Sequence, residues 1–319
     1  MQAKPDSLLS RINGASDRIK GVASRTPLVE APSLSKEFGR QVYLKLECYQ
    51  PIRVFKIRGA YNRVSQASSR GVVAASSGNH GIAVAYSARL LGKKCTVVVP
   101  ETAVEEKVSA IVELGAEVVK YGRFSSEREA KARELAKERG EFIHPFDDLE
   151  VIAGQGTCGL EIAQQLDEFD SVLVPVGGGG LISGISVAVK ALKPKAQVFG
   201  VEPMGASKLG PSLKQGMRVT LGSPKSIADG LLPNSVGELP FKLCRGRVAG
   251  TFEVSEDEIL DAMWLLLQKA HVAAEPSGAV PLAALLAGRD VERLGGRVVL
   301  VISGGNVSLN LLKRILEET

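Results

Sequence analysis

Apolar positions along this chain follow two rhythms that alternate almost from end to end. Short runs rich in β-branched residues predict strands over Val42–Glu47, Val72–Ala75, Cys95–Val99, Glu117–Lys120, Ser171–Val176, Gln197–Val201 and Arg297–Ile302. Between them, apolar residues three and four apart predict helices over Gly81–Leu91, Val104–Leu114, Ser126–Arg139, Leu160–Leu166, Leu181–Leu192, Glu256–Lys269, Ser277–Leu286 and Val307–Glu317. Several strands are apolar on both faces, as a parallel sheet covered by helices requires. The pattern is that of an α/β chain with right-handed crossovers.

The stretch from Arg70 to Phe146 alternates as a βαβαβα unit and ends in the turn-forming sequence His144-Pro145-Phe146-Asp147-Asp148. The flanking segments complete a second, larger sheet, so the smaller unit reads as inserted rather than appended. A chain of 319 residues is too long for one core and about right for two. Ligands are then expected in the cleft between the sheets, at the strand carboxyl ends.

Charge narrows the function classes. The net charge of +5 is spread along the chain with no basic block, which argues against nucleic acid and suits small anionic ligands. No apolar run reaches the roughly 18 residues of a membrane helix, and MQAKPDSLLSRINGASDRIK lacks a signal-peptide core. Cys48, Cys95, Cys158 and Cys244 are far apart and form no CxxC, so no disulfide or zinc framework is expected and the cytoplasm is the default compartment. His80, His144 and His271 are the only histidines, which speaks against a His-rich metal centre.

Four clusters carry candidate chemistry. Gly177, Gly178, Gly179 and Gly180 follow the strand SVLVPV and open a helix at Leu181. Bare amides at a helix N-terminus suit a phosphate dianion; the alternative is a tight strand-to-helix turn. The spacing matches neither the dinucleotide fingerprint nor the P-loop. Ser76-Ser77-Gly78-Asn79-His80-Gly81 lies at a second strand-to-helix junction, where hydroxyls and amides could hold a carboxylate or simply cap the helix. Lys56, between Phe55 and Ile57, is either an amine freed by apolar surroundings or a lysine reaching past them to water. Ser303-Gly304-Gly305-Asn306 ends the strand RVVLVI, as a ligand-facing hydroxyl or as a turn. Together they supply what is needed to hold pyridoxal phosphate on a lysine with an amino acid above it.

In these clusters the chain resembles the fold-type II pyridoxal-phosphate enzymes, in the branch of serine/threonine dehydratases and serine racemase. The resemblance runs from Arg25-Thr26-Pro27-Leu28 to Ser303-Gly304-Gly305-Asn306 through Phe55–Ala60, Ser76–Gly81, His144–Asp148, Ile152–Thr157, Pro175–Leu181, Ile227–Gly230 and Glu275–Ala279. It implies a two-domain fold like the tryptophan synthase β subunit, each domain a helix-covered, mostly parallel open sheet. Residues 1–61 with 148–319 would form the larger, cofactor-binding domain, and 62–147 a small inserted domain that closes over the substrate.

The resemblance also implies roles. Lys56 would carry pyridoxal 5'-phosphate as a Schiff base, beside Phe55. Gly177, Gly178, Gly179, Gly180 and Leu181 would bind the phosphate, Asn79 the ring hydroxyl and Ser303 the pyridine nitrogen. Ser76, Ser77, Asn79 and His80 would grip the substrate carboxylate. Arg128 sits where racemase-like members place a substrate-contacting arginine, or is a charge on a solvated helix. The implied reaction is β-elimination from L-threonine or L-serine to 2-oxobutanoate or pyruvate and ammonia. Serine racemisation, with Ser77 as second acid/base, or dehydration of another 3-hydroxy amino acid are the alternatives, and a non-catalytic cofactor- or amino-acid-binding protein is a third. A homodimer or higher homo-oligomer fits the family.

The chain departs from the family pattern in two places. A small hydroxyl residue usually precedes Phe-Lys, where this chain has Ile52-Arg53-Val54. Metal-dependent members hold a divalent cation through a glutamate, an alanine carbonyl four positions on and an acid six positions on. Here Glu202 and Ala206 are followed by Lys208. The expectation is that no metal binds and that the Lys208 ammonium takes the cation's place, the alternative being a surface lysine.

Overall fold

The strand Arg297–Ile302 buries five successive apolar residues, Val298 through Ile302. Val298, Leu300 and Ile302 enter one apolar cluster, Val299 and Val301 another. Side chains alternate across a strand, so such a run needs a packed layer on each face. The computed structural model supplies both layers. It describes residues 5–76, 78–103 and 105–317, apart from the side chains of residues 5–7, 106 and 107.

In chain order the first elements are α1 (Pro5–Arg18), β1 (Leu28–Glu30), α2 (Pro32–Phe38), β2 (Gln41–Leu46) and α3 (Lys56–Ser65). Next come β3 (Gly71–Ala75), α4 (Asn79–Leu90), β4 (Lys94–Val99), α5 (Glu105–Glu113), β5 (Glu117–Lys120), α6 (Ser125–Arg139) and β6 (Glu141–Phe142). These are followed by α7 (Leu149–Gln165), β7 (Ser171–Pro175), α8 (Gly180–Leu192), β8 (Gln197–Pro203), α9 (Leu209–Gln215) and α10 (Glu238–Cys244). The last are β9 (Val248–Val254), α11 (Glu256–Ala270), α12 (Pro276–Ala287), β10 (Arg297–Ile302) and α13 (Leu309–Glu317).

Among the described residues the strands form two sheets, ordered β1-β2-β10-β7-β8-β9 and β5-β4-β3-β6. Only β1 pairs antiparallel, with β2; the other pairs are parallel. The four strands of the smaller sheet fall between β2 and β7 in sequence. No helix among the described residues is long and apolar enough to cross a membrane. The expected strands are present within a residue or two, whereas α7 starts at Leu149, eleven residues ahead of its expected start at Leu160. Its glycines read as helix breakers, but they are contact points: a Cβ on Gly154 would meet the Arg58 carbonyl, and one on Gly184 of α8 the Ile152 carbonyl. Val104, the expected start of α5, lies outside the described residues.

The polar helix α3 was absent from the apolar pattern because ion pairs hold it. Arg58 is wholly buried. Its Nε and Nη2 donate to the two Glu47 carboxylate oxygens at 2.7 and 2.8 Å, and its Nη1 and Nη2 to those of Glu161 at 2.7 and 2.8 Å. Lys45 Nζ adds a bond of 2.6 Å to Glu161, and Thr26 Oγ1 one of 2.6 Å to Glu47. Two cations and two anions thus balance inside the protein, joining β2, the turn Glu47–Tyr49, α3 and α7. Burial raises the Glu47 pKa, but Arg58 and Lys45 outweigh it and hold the carboxyl at about 2, below the ordinary 4.5.

Two expectations follow from this cluster. Arg58→Met, which leaves two carboxylates buried without their shared partner, should cost about 3–5 kcal/mol in urea unfolding. Because the folded pKa of Glu47 lies below the unfolded one, its contribution is present in full above pH 4.5 and is lost as pH falls from there toward about 2. Unfolding titrations should show that acid loss in the wild type, and a shallower one in Glu47→Gln measured against its own neutral-pH stability.

Candidate active site

Main-chain bonds bring Lys56 to the end of β10. Val54 and Gly304 form an antiparallel bridge, Phe55 N–H donates to Ser303 O at 3.0 Å, and Gly305 N–H donates to Arg53 O at 2.8 Å. Lys56, first residue of α3, is therefore stitched beside Ser303. Its Nζ donates to Pro145 O at 2.9 Å and lies 5.2 Å from the Phe55 ring centre. Burial lowers the Lys56 pKa from 10.5 to about 8, against the pull of the Glu275 carboxylate.

The residue after Pro145 reaches the glycine turn. A Cβ added to Gly178 would lie 2.2 Å from the Phe146 ring, so that ring occupies the space a side chain would need. Gly179 caps α8 with φ +88°, the left-handed backbone that glycine adopts freely. Gly180 is the first residue of α8 and Leu181 is buried behind it. The turn is fixed from outside by Gly237 N–H, which donates to Gly178 O at 3.0 Å. His144 Nδ1 accepts from Phe146 and Asp147 N–H at 3.2 and 2.7 Å, shaping the loop that touches both Lys56 and the glycines.

At the start of α4, Asn79 Nδ2 donates to both Glu275 oxygens, at 2.8 and 3.1 Å, and its Oδ1 accepts from Asn306 Nδ2 at 2.8 Å. Glu275 N–H donates to Gly304 O at 3.0 Å, which ties this network to the end of β10. Ser76 Oγ accepts from Gly78 N–H at 3.2 Å. The His80 ring is buried and donates from Nε2 to Ile143 O at 2.9 Å. Burial and the Lys56 charge press its pKa down to about 3, so it is neutral. Ser303 is buried with its Oγ 3.5 Å from Ser277 O, too long for a well-made bond.

The structure thus gathers Lys56 and the glycine turn around the loop at Pro145 and Phe146, and Phe55, Ser303 and, through Glu275, Asn79 around the end of β10. Arg128 is not tied to that group: its Nη atoms donate to Arg123 O at 3.0 Å and Ser125 Oγ at 3.1 Å, at the start of its own helix. Ser77 lies outside the described residues. Lys208 is buried, not on the surface, with its Nζ 3.5 Å from Glu202. No group of three or more His, Cys, Asp or Glu among the described residues could hold a metal ion. Glu275, Asn306, Pro145 and Phe146 were named in the sequence only inside longer stretches. A glutamate directly before a proline at a helix start was the available signal for Glu275; for the Pro145 carbonyl there was none.

Comparison with known proteins identifies the family. Residues 19–304 match the model of the family described as pyridoxal-phosphate dependent enzyme. The chain is 42% identical over 315 residues to L-threonine ammonia-lyase of Thermotoga maritima, covering 97% of this chain and 78% of that one. It is 40% identical to serine racemase of Dictyostelium discoideum, covering 97% of each. The crystal structure of a threonine deaminase from T.th. superposes with a TM-score of 0.90 at 42% identity, covering 94% of this chain and 99% of that one. By sequence and architecture alike, the chain belongs to the family of pyridoxal-phosphate dependent enzymes, with the fold of type II.

Proposed function

We propose that this protein is a pyridoxal-phosphate-dependent ammonia-lyase that dehydrates and deaminates L-threonine and L-serine to 2-oxobutanoate or pyruvate and ammonia. The observation that carries this reading is the partly buried amine of Lys56, its pKa lowered to about 8, held at Pro145 O next to the Phe146 ring that packs on Gly178, and joined through Phe55 N–H to the Ser303 carbonyl. The residues fit the group. The turn offers amides without side chains at the start of a helix, and the long 3.5 Å contact leaves the Ser303 hydroxyl free for a ring nitrogen.

In this reading the amides of Gly177–Gly180 and the α8 N-terminus hold the phosphate, Asn79 faces the ring hydroxyl, and the N-terminus of α4 with Ser76 and Ser77 takes the substrate carboxylate. When bound, pyridoxal phosphate supplies the electron sink for the pair left at Cα. Lys56 Nζ accepts the Cα proton, and a pKa near 8 leaves a usable neutral fraction at neutral pH. Pro145 O aims that amine, and the Phe146 ring shields the glycine turn from water. His80, neutral and bound to Ile143 O, adds no cation beside the amine. Ser303 is a neutral partner that does not hold a ring proton as a carboxylate would, which favours elimination over transamination. Residues 62–147 would close over the substrate as a unit. The apolar Leu309 and Leu316, 82% and 60% exposed on α13, suit a contact with a second copy of the chain.

Racemisation is the second reading, supported by the 40% identity to a serine racemase. A panel of D- and L-β-hydroxy amino acids, assayed for oxo acid and ammonia with cofactor added, tests the main one. Release from L-threonine and L-serine is expected; no oxo acid from any member would end it. Lys56→Ala should lower turnover by at least about a thousandfold, and borohydride reduction should leave a pyridoxyl mass on the Lys56 peptide of the wild type only. Chiral analysis of residual serine separates the two readings. Ser77→Ala should suppress racemisation more than elimination if two bases act, and equal losses would exclude a second base at Ser77.

A further inference from the structure

Another buried amine lies outside both the Lys56 site and the Arg58 cluster. Lys208, the residue before α9, is fully buried with Glu202. Its Nζ lies 2.7 Å from Ala206 O, 3.1 Å from Leu231 O, 3.4 Å from Val176 O and 3.5 Å from Glu202 Oε1. An ammonium has three protons: Ala206 O and Leu231 O take two well-made bonds, Val176 O a longer third, and Glu202 balances the charge. The Glu202 carboxylate is held in turn by the main-chain N–H groups of Lys208, Leu209 and Gly210, at 2.9–3.0 Å. Three neutral oxygens and one carboxylate around a single positive charge is the coordination of a bound monovalent cation, here supplied by the chain itself.

The carbonyls come from three segments that meet at the glycine turn. Val176 is the residue immediately before Gly177. Leu231 ends the short turn Asp229–Leu231, and a Cβ on Gly177 would come within 2.9 Å of the Gly230 carbonyl. Ala206 ends the bend that follows β8. A charge bridging Val176 and Leu231 therefore sets the distance between the glycine turn and the segment lying against it. Without that charge, the inward-facing carbonyls would lose their donor and the buried Glu202 would keep only its main-chain N–H bonds.

We propose that Lys208 is a positioning residue: a tethered monovalent cation that holds the glycine turn in shape for a bound phosphate and makes the turn independent of any dissociable metal ion. The inference rests on reading Gly177–Gly180 as the phosphate cradle. Lys208→Ala leaves an anionic cavity the size of an amine, whereas Lys208→Met fills it without charge. Both variants should lose about ten- to a hundredfold in pyridoxal phosphate affinity, measured by titrating the apoenzyme. Methylammonium or potassium at about 0.1 M should restore the Ala variant and raise the melting temperature of its apo form, and should do neither for the Met variant or the wild type. The wild type should keep its affinity and melting temperature after exhaustive chelation.

The melting arm needs no cofactor. If the wild type binds no pyridoxal phosphate, the cradle reading fails while the cation cage is still judged by rescue of the apo form. Wild-type affinity in Lys208→Met overturns the proposal even if the Ala variant does not fold. So does a loss in the Ala variant that no monovalent cation repairs, or that only a divalent ion repairs, or a wild type that chelation weakens.

Discussion

The buried pairing of Arg58 with Glu47 and Glu161 is the constraint on which the site depends. Arg58 stands two residues after Lys56, in the first turn of the same helix. Its guanidinium is bound on both sides by carboxylates and also reaches Thr157 Oγ1 at 3.1 Å and Ser24 O at 3.2 Å. Rigid planar geometry makes such a group a locator as much as a source of stability. With Arg58 fixed in rotation and depth, the helix start is fixed too, and Lys56 has little freedom to leave the loop at Pro145.

Three cations, two of them buried and one partly buried, show how surroundings assign different work to similar groups. Arg58, surrounded by two carboxylates, has its pKa raised well above the ordinary value and stays charged. Lys208 has three carbonyls and one carboxylate; burial lowers its pKa and Glu202 opposes the change. Lys56 has one carbonyl bond, while the nearby Glu275 carboxylate is engaged with Asn79, and its pKa falls to about 8. The least compensated of the three is the one whose proposed task requires a neutral amine. Desolvation with incomplete pairing is how a protein prepares a reactive amine at neutral pH.

The same architecture serves relatives of different activity, an ammonia-lyase and a racemase at similar identity. Architecture alone therefore leaves the reaction to a few side chains around a shared cradle. In the function proposed for this chain, the neutral hydroxyl of Ser303, the neutral ring of His80 and the amine of Lys56 would limit charge around the reacting carbon. That restraint would favour loss of a β-substituent over chemistry that needs a fully protonated ring.

What the sequence determined by itself was whatever depends on local periodicity or on a contiguous motif. Arg297–Ile302 read as a strand covered on both faces, and Gly177–Gly180 and Ser76–Gly81 marked strand-to-helix junctions, because both properties follow from neighbouring residues. The polar α3 and the glycine-containing α7 escaped because partners over a hundred residues apart, such as Lys45 and Glu161, or close backbone approaches stabilise them. Lys208 could be read as a cation substitute or a surface lysine, and only burial and the spacing to Val176, Ala206 and Leu231 separate those readings. The Pro145 carbonyl at Lys56 and the Glu275 carboxylate at Asn79 were decided by tertiary structure alone. A main-chain oxygen has no sequence signature, and the pKa of an amine is set by the groups that folding brings around it.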